Sequence, residues 1–140
     1  MLGLTIAEIS VGQSASYTKT ITEKEVAAFG ELIGDFNPVH FDEEYAKTTM
    51  FKTRIAHGML GASLLSSVLA MHLPGPGGVY LKQDVKFLAP VFFGDTLTAT
   101  VVVKEKFEEK NRLVMDCKVT NQNGVDVIVG ETLIMPRKEP

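Results

Sequence analysis

The densest cluster of reactive side chains in the chain is Asp35-Phe36-Asn37-Pro38-Val39-His40-Phe41-Asp42. A carboxylate beside an imidazole suits water chemistry. One group accepts a proton from the attacking water, and protonation of its partner keeps the pair from accumulating charge. Asp35 and His40 are five positions apart, which on one continuous helix would put them on different faces. Pro38 disfavours such a helix and biases Asn37 towards an extended conformation, so a bent loop is expected to bring the pair together. Burial among Phe36, Phe41 and nearby apolar residues would move both pKa values towards neutrality or couple them. The same string also fits ordinary helix-end and turn chemistry, in which the Asp–His pair is only a hydrogen bond.

A second feature is Ala56-His57-Gly58-Met59, at the start of a long apolar segment. Glycine lets a backbone approach a ligand closely, and unpaired first-turn amides present donors and the positive end of the helix dipole. That suits an oxygen that gains charge in a transition state. The alternative is that Gly58 merely permits tight packing. Gly58, Ala62, Ser66 and Leu69 are spaced by four, four and three residues and form one helical stripe, either a tunnel wall leading away from Gly58 or ordinary core. His57 reads as a helix-start residue, His72 as a helix-end residue and Cys117 as a buried strand residue. Ser63 lacks the context of a nucleophile elbow, and neither a nucleotide loop nor metal-ligand spacing is present.

The elements that must position these groups follow from periodicity. A strand is expected from Ser14 to Ile21, then a helix capped by Thr22 and Glu25 and stopped at Gly34. A short helical turn starts at Asp42, and a helix rich in small residues and buried on most sides runs from His57 to Leu73. Alternation predicts strands over Val79–Leu88, Asp95–Phe107, Arg112–Asn121 and Val125–Met135, with a tight turn at Asn123-Gly124 and a loose tail from Pro136. The fold class is α+β: an antiparallel sheet wrapped around a long central helix, in one domain covering residues 1–140. Its edge strand needs cover, so a homodimer is expected.

The Asp35–Asp42 string resembles the signature of the MaoC-like, (R)-specific enoyl-CoA hydratases, the hydratase 2 group of hot-dog-fold proteins. His57-Gly58-Met59, Tyr80-Leu81 and Pro90-Val91-Phe92-Phe93-Gly94-Asp95 resemble further landmarks of that family in the same order. The resemblance implies that Asp35 and His40 are a catalytic dyad holding the attacking water and that the Gly58 amide is an oxyanion donor. It also implies that Ser66, Leu69 and Ile134 line a short acyl pocket, and Asn37 and Ala62 are expected to join them in substrate binding. The implied reaction is reversible syn hydration of a trans-2-enoyl thioester, with no metal or organic cofactor and with coenzyme A or acyl-carrier protein as part of the substrate.

A hot-dog thioesterase and a non-catalytic acyl-CoA-binding module are the alternatives. The net charge of −3 and a pI near 5.6 provide no basic stripe for nucleic acid. One cysteine excludes an intrachain disulfide and a thiolate metal cluster. No segment reads as a secretory leader or membrane span, so the expected location is the cytoplasm.

Overall fold

Period-two alternation builds an antiparallel sheet in the computed structural model, which describes residues 1–140. Its strands are β1 (Ser14–Thr20), β2 (Val79–Phe87), β3 (Thr96–Phe107), β4 (Arg112–Thr120) and β5 (Asp126–Met135), paired in the order β1-β3-β4-β5-β2. Leu97, Ala99, Val101 and Val103 of β3 and Leu113, Met115, Cys117 and Val119 of β4 are buried. The register sets Ala99 opposite Val119 and Val101 opposite Cys117, so the inner face is one apolar surface. The β4–β5 turn is wider than the expected two residues, because the Asn121 side chain accepts from the Asn123 and Val125 amides at 2.9 and 3.1 Å.

The helices are α1 (Glu23–Ile33), α2 (Pro38–Phe41), α3 (Glu43–Ala46) and α4 (Gly58–Met71). In α1 the Thr22 hydroxyl accepts from the Glu25 amide, and Gly34 closes the helix in the left-handed conformation. Glu25's carboxylate also pairs with Lys19 at 3.0 Å.

The central helix α4 is shorter than expected, at 14 residues, and less enclosed. Leu60, Gly61, Leu64, Leu65, Val68 and Leu69 face the sheet, mainly β3, β4 and β1. Met59, Ser63, Ser66, Ala70 and Met71 are exposed, so one side of the helix has no partner within the chain. No helix is long and apolar enough to cross a membrane.

Residues 35–57 link α1 to α4 and are held down at two places. Arg54 pairs with Glu23 of α1 at 2.9 Å and Glu43 of α3 at 3.4 Å, and its guanidinium lies 5.0 Å from the centre of the Phe93 ring. Ile55 forms an antiparallel bridge with Phe92, and the Ala56 amide donates to Val91 at 2.8 Å. The turn that receives them is fixed by buried Asp95, which accepts from the Phe92 amide at 2.9 Å and from Gln122 Nε2 at 2.8 Å. The tail is not loose at its start: Pro136 is buried, its carbonyl accepts from Asn111 at 2.8 Å, and Arg137 bridges to Thr5 and donates to the Gly3 carbonyl.

Candidate functional site

The chain leaves α1 through Gly34 and enters the segment bearing Asp35 and His40. Pro38 does not leave a loop there. It sits in the first turn of α2, where its missing N–H costs nothing, and the Asn37 side chain caps that turn by accepting from the Val39 amide at 3.2 Å. Asp35 Oδ1 accepts from the Asn37 amide at 3.2 Å, which ties the carboxylate to the same turn. One helical turn thus swings His40 back towards Asp35. Asp35, His40 and His57 present side-chain O and N atoms all within 4.8 Å of one another.

His40 is buried, and its Nδ1 lies 2.7 Å from the Ile55 carbonyl. A carbonyl only accepts, so Nδ1 carries the hydrogen and Nε2 is left as a lone pair. Burial pushes the His40 pKa below the usual imidazole value. The bond to Ile55 and the Asp35 charge oppose that shift, and nearby His57 adds to it. Asp35 keeps a side-chain exposure of 43 %, so the pair combines a solvated carboxylate with a desolvated imidazole.

Both groups open on a cleft of about 320 Å³ also lined by His57, Gly58, Met59 and Phe87. Gly58 is the first residue of α4, and its N–H has no partner within the helix. A Cβ on Gly58 would lie 2.9 Å from the Phe87 ring, so the missing side chain makes room for that ring. Behind it, Gly58 and Phe87 also border an apolar chamber of about 340 Å³ walled by Met50, Phe51, Leu88, Val91 and Ile128.

This cluster could also be read as a cation site. The two imidazoles, however, are stacked with ring centres 3.8 Å apart and planes 30° apart, and His57 Nδ1 is fully buried. One nitrogen of each ring already meets a main-chain carbonyl. The arrangement suits proton handling better than ion coordination.

The family model described as the MaoC like domain matches residues 7–125. The chain belongs to the MaoC-like family. It is 50% identical over 128 residues to a protein named (R)-specific enoyl-CoA hydratase from Rhodospirillum rubrum, covering 91% of this chain and 88% of the relative. A 3-hydroxybutyryl-CoA dehydratase of Methylorubrum extorquens is 41% identical over 133 residues, with 94% and 84% covered. The unliganded structure of R-hydratase PhaJ1 from Pseudomonas aeruginosa superposes with a TM-score of 0.92 at 47% identity, covering 98% of this chain and 88% of that one. The hot-dog fold of those hydratases is the fold of this chain.

In this MaoC-like domain Asp35, His40 and Gly58 share one cleft, and the other expected site residues do not line it. Asn37 is exposed and serves as the cap of α2. Ala62 packs against the core, Leu69 and Ile134 are 1% and 2% exposed within it, and Ser66 faces outward. The expected tunnel wall is therefore not formed by one chain, because α4 turns Leu69 into the sheet and leaves Ser66 on its uncovered side. Two neighbours of the pair carry no signal in the sequence: Ile55, which contributes a main-chain carbonyl, and His57, which directly precedes Gly58 and is buried beside the pair.

Proposed function

We propose that this MaoC-like protein is an (R)-specific 2-enoyl-CoA hydratase that adds water reversibly to a trans-2-enoyl thioester with a short acyl chain. The observation that carries this is the convergence of the Asp35 carboxylate and the His40 Nε2 lone pair on a cleft bordered by the Gly58 amide. The printed names of the relatives, one a hydratase and one a 3-hydroxybutyryl-CoA dehydratase, support the same reaction in its two directions.

A water in the cleft donates one hydrogen bond to Asp35 and one to His40 Nε2, which leaves an oxygen lone pair free to attack the β-carbon. As the C–O bond forms, the π electrons move towards the thioester oxygen, where the Gly58 N–H and the helix dipole stabilise the enolate. His40 takes the water proton, and its imidazolium is balanced by the Asp35 carboxylate. The proton then passes from His40 to the α-carbon, and the net change is H and OH added from one face. Every step is proton transfer, addition or electrostatic stabilisation, so the reaction calls for no metal or organic cofactor. Coenzyme A or acyl-carrier protein belongs to the substrate.

We read residues 1–140 as one MaoC-like unit that works as a homodimer. Edge strand β2 exposes Val79, Tyr80 and Leu81, and the uncovered side of α4 exposes Met59 and Met71. A second copy over that side would close a groove past Ser66, with Leu69 and Ile134 beneath it, as an acyl wall. The one cysteine is free and buried, which fits a reducing compartment, and the cytoplasm is the location we assign.

The test follows loss of enoyl absorbance from crotonyl-CoA. Asp35→Asn and His40→Gln should each lower turnover by about 10²–10⁴-fold. Wild-type rates in both variants would sink the mechanism.

A further inference from the structure

We propose that His57 is a positioning residue that holds both members of the pair in register; this rests on the dyad reading above. His57 is 2% exposed and occupies the N-cap position of α4, yet its side chain makes no capping bond. Its burial therefore serves something other than the helix end. Its Nε2 lies 3.0 Å from the Asp35 carbonyl and 4.0 Å from Asp35 Oδ2. The carbonyl can only accept, so Nε2 carries the hydrogen and grips the main chain at the residue that supplies the carboxylate.

The same ring lies face to face with His40, centres 3.8 Å apart, while Phe29 and Phe41 press against it edge-on at 5.2 and 5.8 Å. His40 is thus trapped between the Ile55 carbonyl, which fixes its rotation, and the His57 plane, which fixes its tilt. The arrangement has a cost. His57 Nδ1 is buried with no hydrogen-bond partner, and a buried unsatisfied nitrogen destabilises a fold. A phenylalanine would fill the space without that loss, so packing alone does not account for an imidazole here. The donor to Asp35 does. Because Gly58 is the next residue, one short stretch of main chain ties the oxyanion amide to the two proton-handling groups.

Two variants separate the two contributions. His57→Phe keeps a ring against His40 and removes the donor to Asp35, whereas His57→Gln keeps a donor and removes the stack. Each should lower kcat on the order of 10²-fold, the cost of a misplacement of about 1 Å, and leave KM within about twofold. The titratable groups facing His40 are Asp35 and His57, and His57 lowers the His40 pKa. In both variants the acid limb of the rate profile should also move to higher pH, and the fall in kcat at nearly constant KM is the change that a purely structural role would not produce.

Nitrogen-15 spectra of the unmodified protein provide a measurement that depends on no variant. They should find hydrogen on His57 Nε2 and on His40 Nδ1, and the opposite tautomer at His57 would overturn the proposal. Wild-type kcat and pH profile in folded His57 variants, beside inactive Asp35→Asn and His40→Gln, would overturn the positioning role alone. Full activity in all four variants would remove the dyad reading with it.

Discussion

The Nδ1–H of His40 points at the carbonyl of Ile55, 2.7 Å away, and this contact determines which ring nitrogen is free to take a proton. The free nitrogen is Nε2, on a ring that lines the cleft Asp35 and Gly58 share.

Removing the Gly58 N–H without breaking α4 should isolate its contribution. His57 has φ −60° and ψ 132°, the conformation a residue before proline prefers, and Gly58 is at the first helical position, where proline is tolerated. Gly58→Pro deletes the donor, and Gly58→Ala brings a similar contact with Phe87 but keeps it. Steady-state kinetics should find kcat of the proline variant about 10²–10³-fold below that of the alanine variant, the usual value of one oxyanion donor.

The lowered His40 pKa sets the sign of two pH effects. As pH falls, the unfolded chain takes up this proton first, near the ordinary value of 6.5, while the folded protein resists it. The contribution of His40 to stability is complete above that value and is lost below it, until the folded-state group itself titrates. Denaturant titrations at stepped pH should record that decline in the wild type and lack this component in His40→Gln. Turnover should persist to lower pH than a free imidazole would allow, because Nε2 stays unprotonated.

The edge of the sheet provides the third outcome. Leu81 of β2 is 42% exposed on a strand with one unpaired side. A charge there blocks edge-to-edge pairing. Leu81→Lys should sediment as a single 15.3 kDa chain while the wild type sediments as a pair. A wild-type protein that stays monomeric at micromolar concentration would remove the homodimer reading.

Much of this architecture was legible in the residue pattern because the strands obey a strict period of two. Leu97 to Val103 and Leu113 to Val119 alternate so cleanly that inside and outside follow directly. The pairing of Asp35 with His40 was legible from residue type. Its local form was not, since Pro38 is compatible with a bend and also with the first position of a helical turn, and the Asn37 cap decided for the turn. The small residues of α4 read alike whether they meet a sheet or an unfilled side, so the exposure of Ser63 and Ser66 was hidden. His57 was undervalued because its meaning lies in a stacked neighbour seventeen positions away, which periodicity does not encode.

Ile55 is bridged to Phe92, whose amide is gripped by Asp95, which in turn holds Gln122. The tautomer of His40 is therefore moored to a hairpin that does not line the cleft. A substitution at Gln122 or Asp95 would loosen the seat of Ile55 and so reach the His40 ring from outside the cleft.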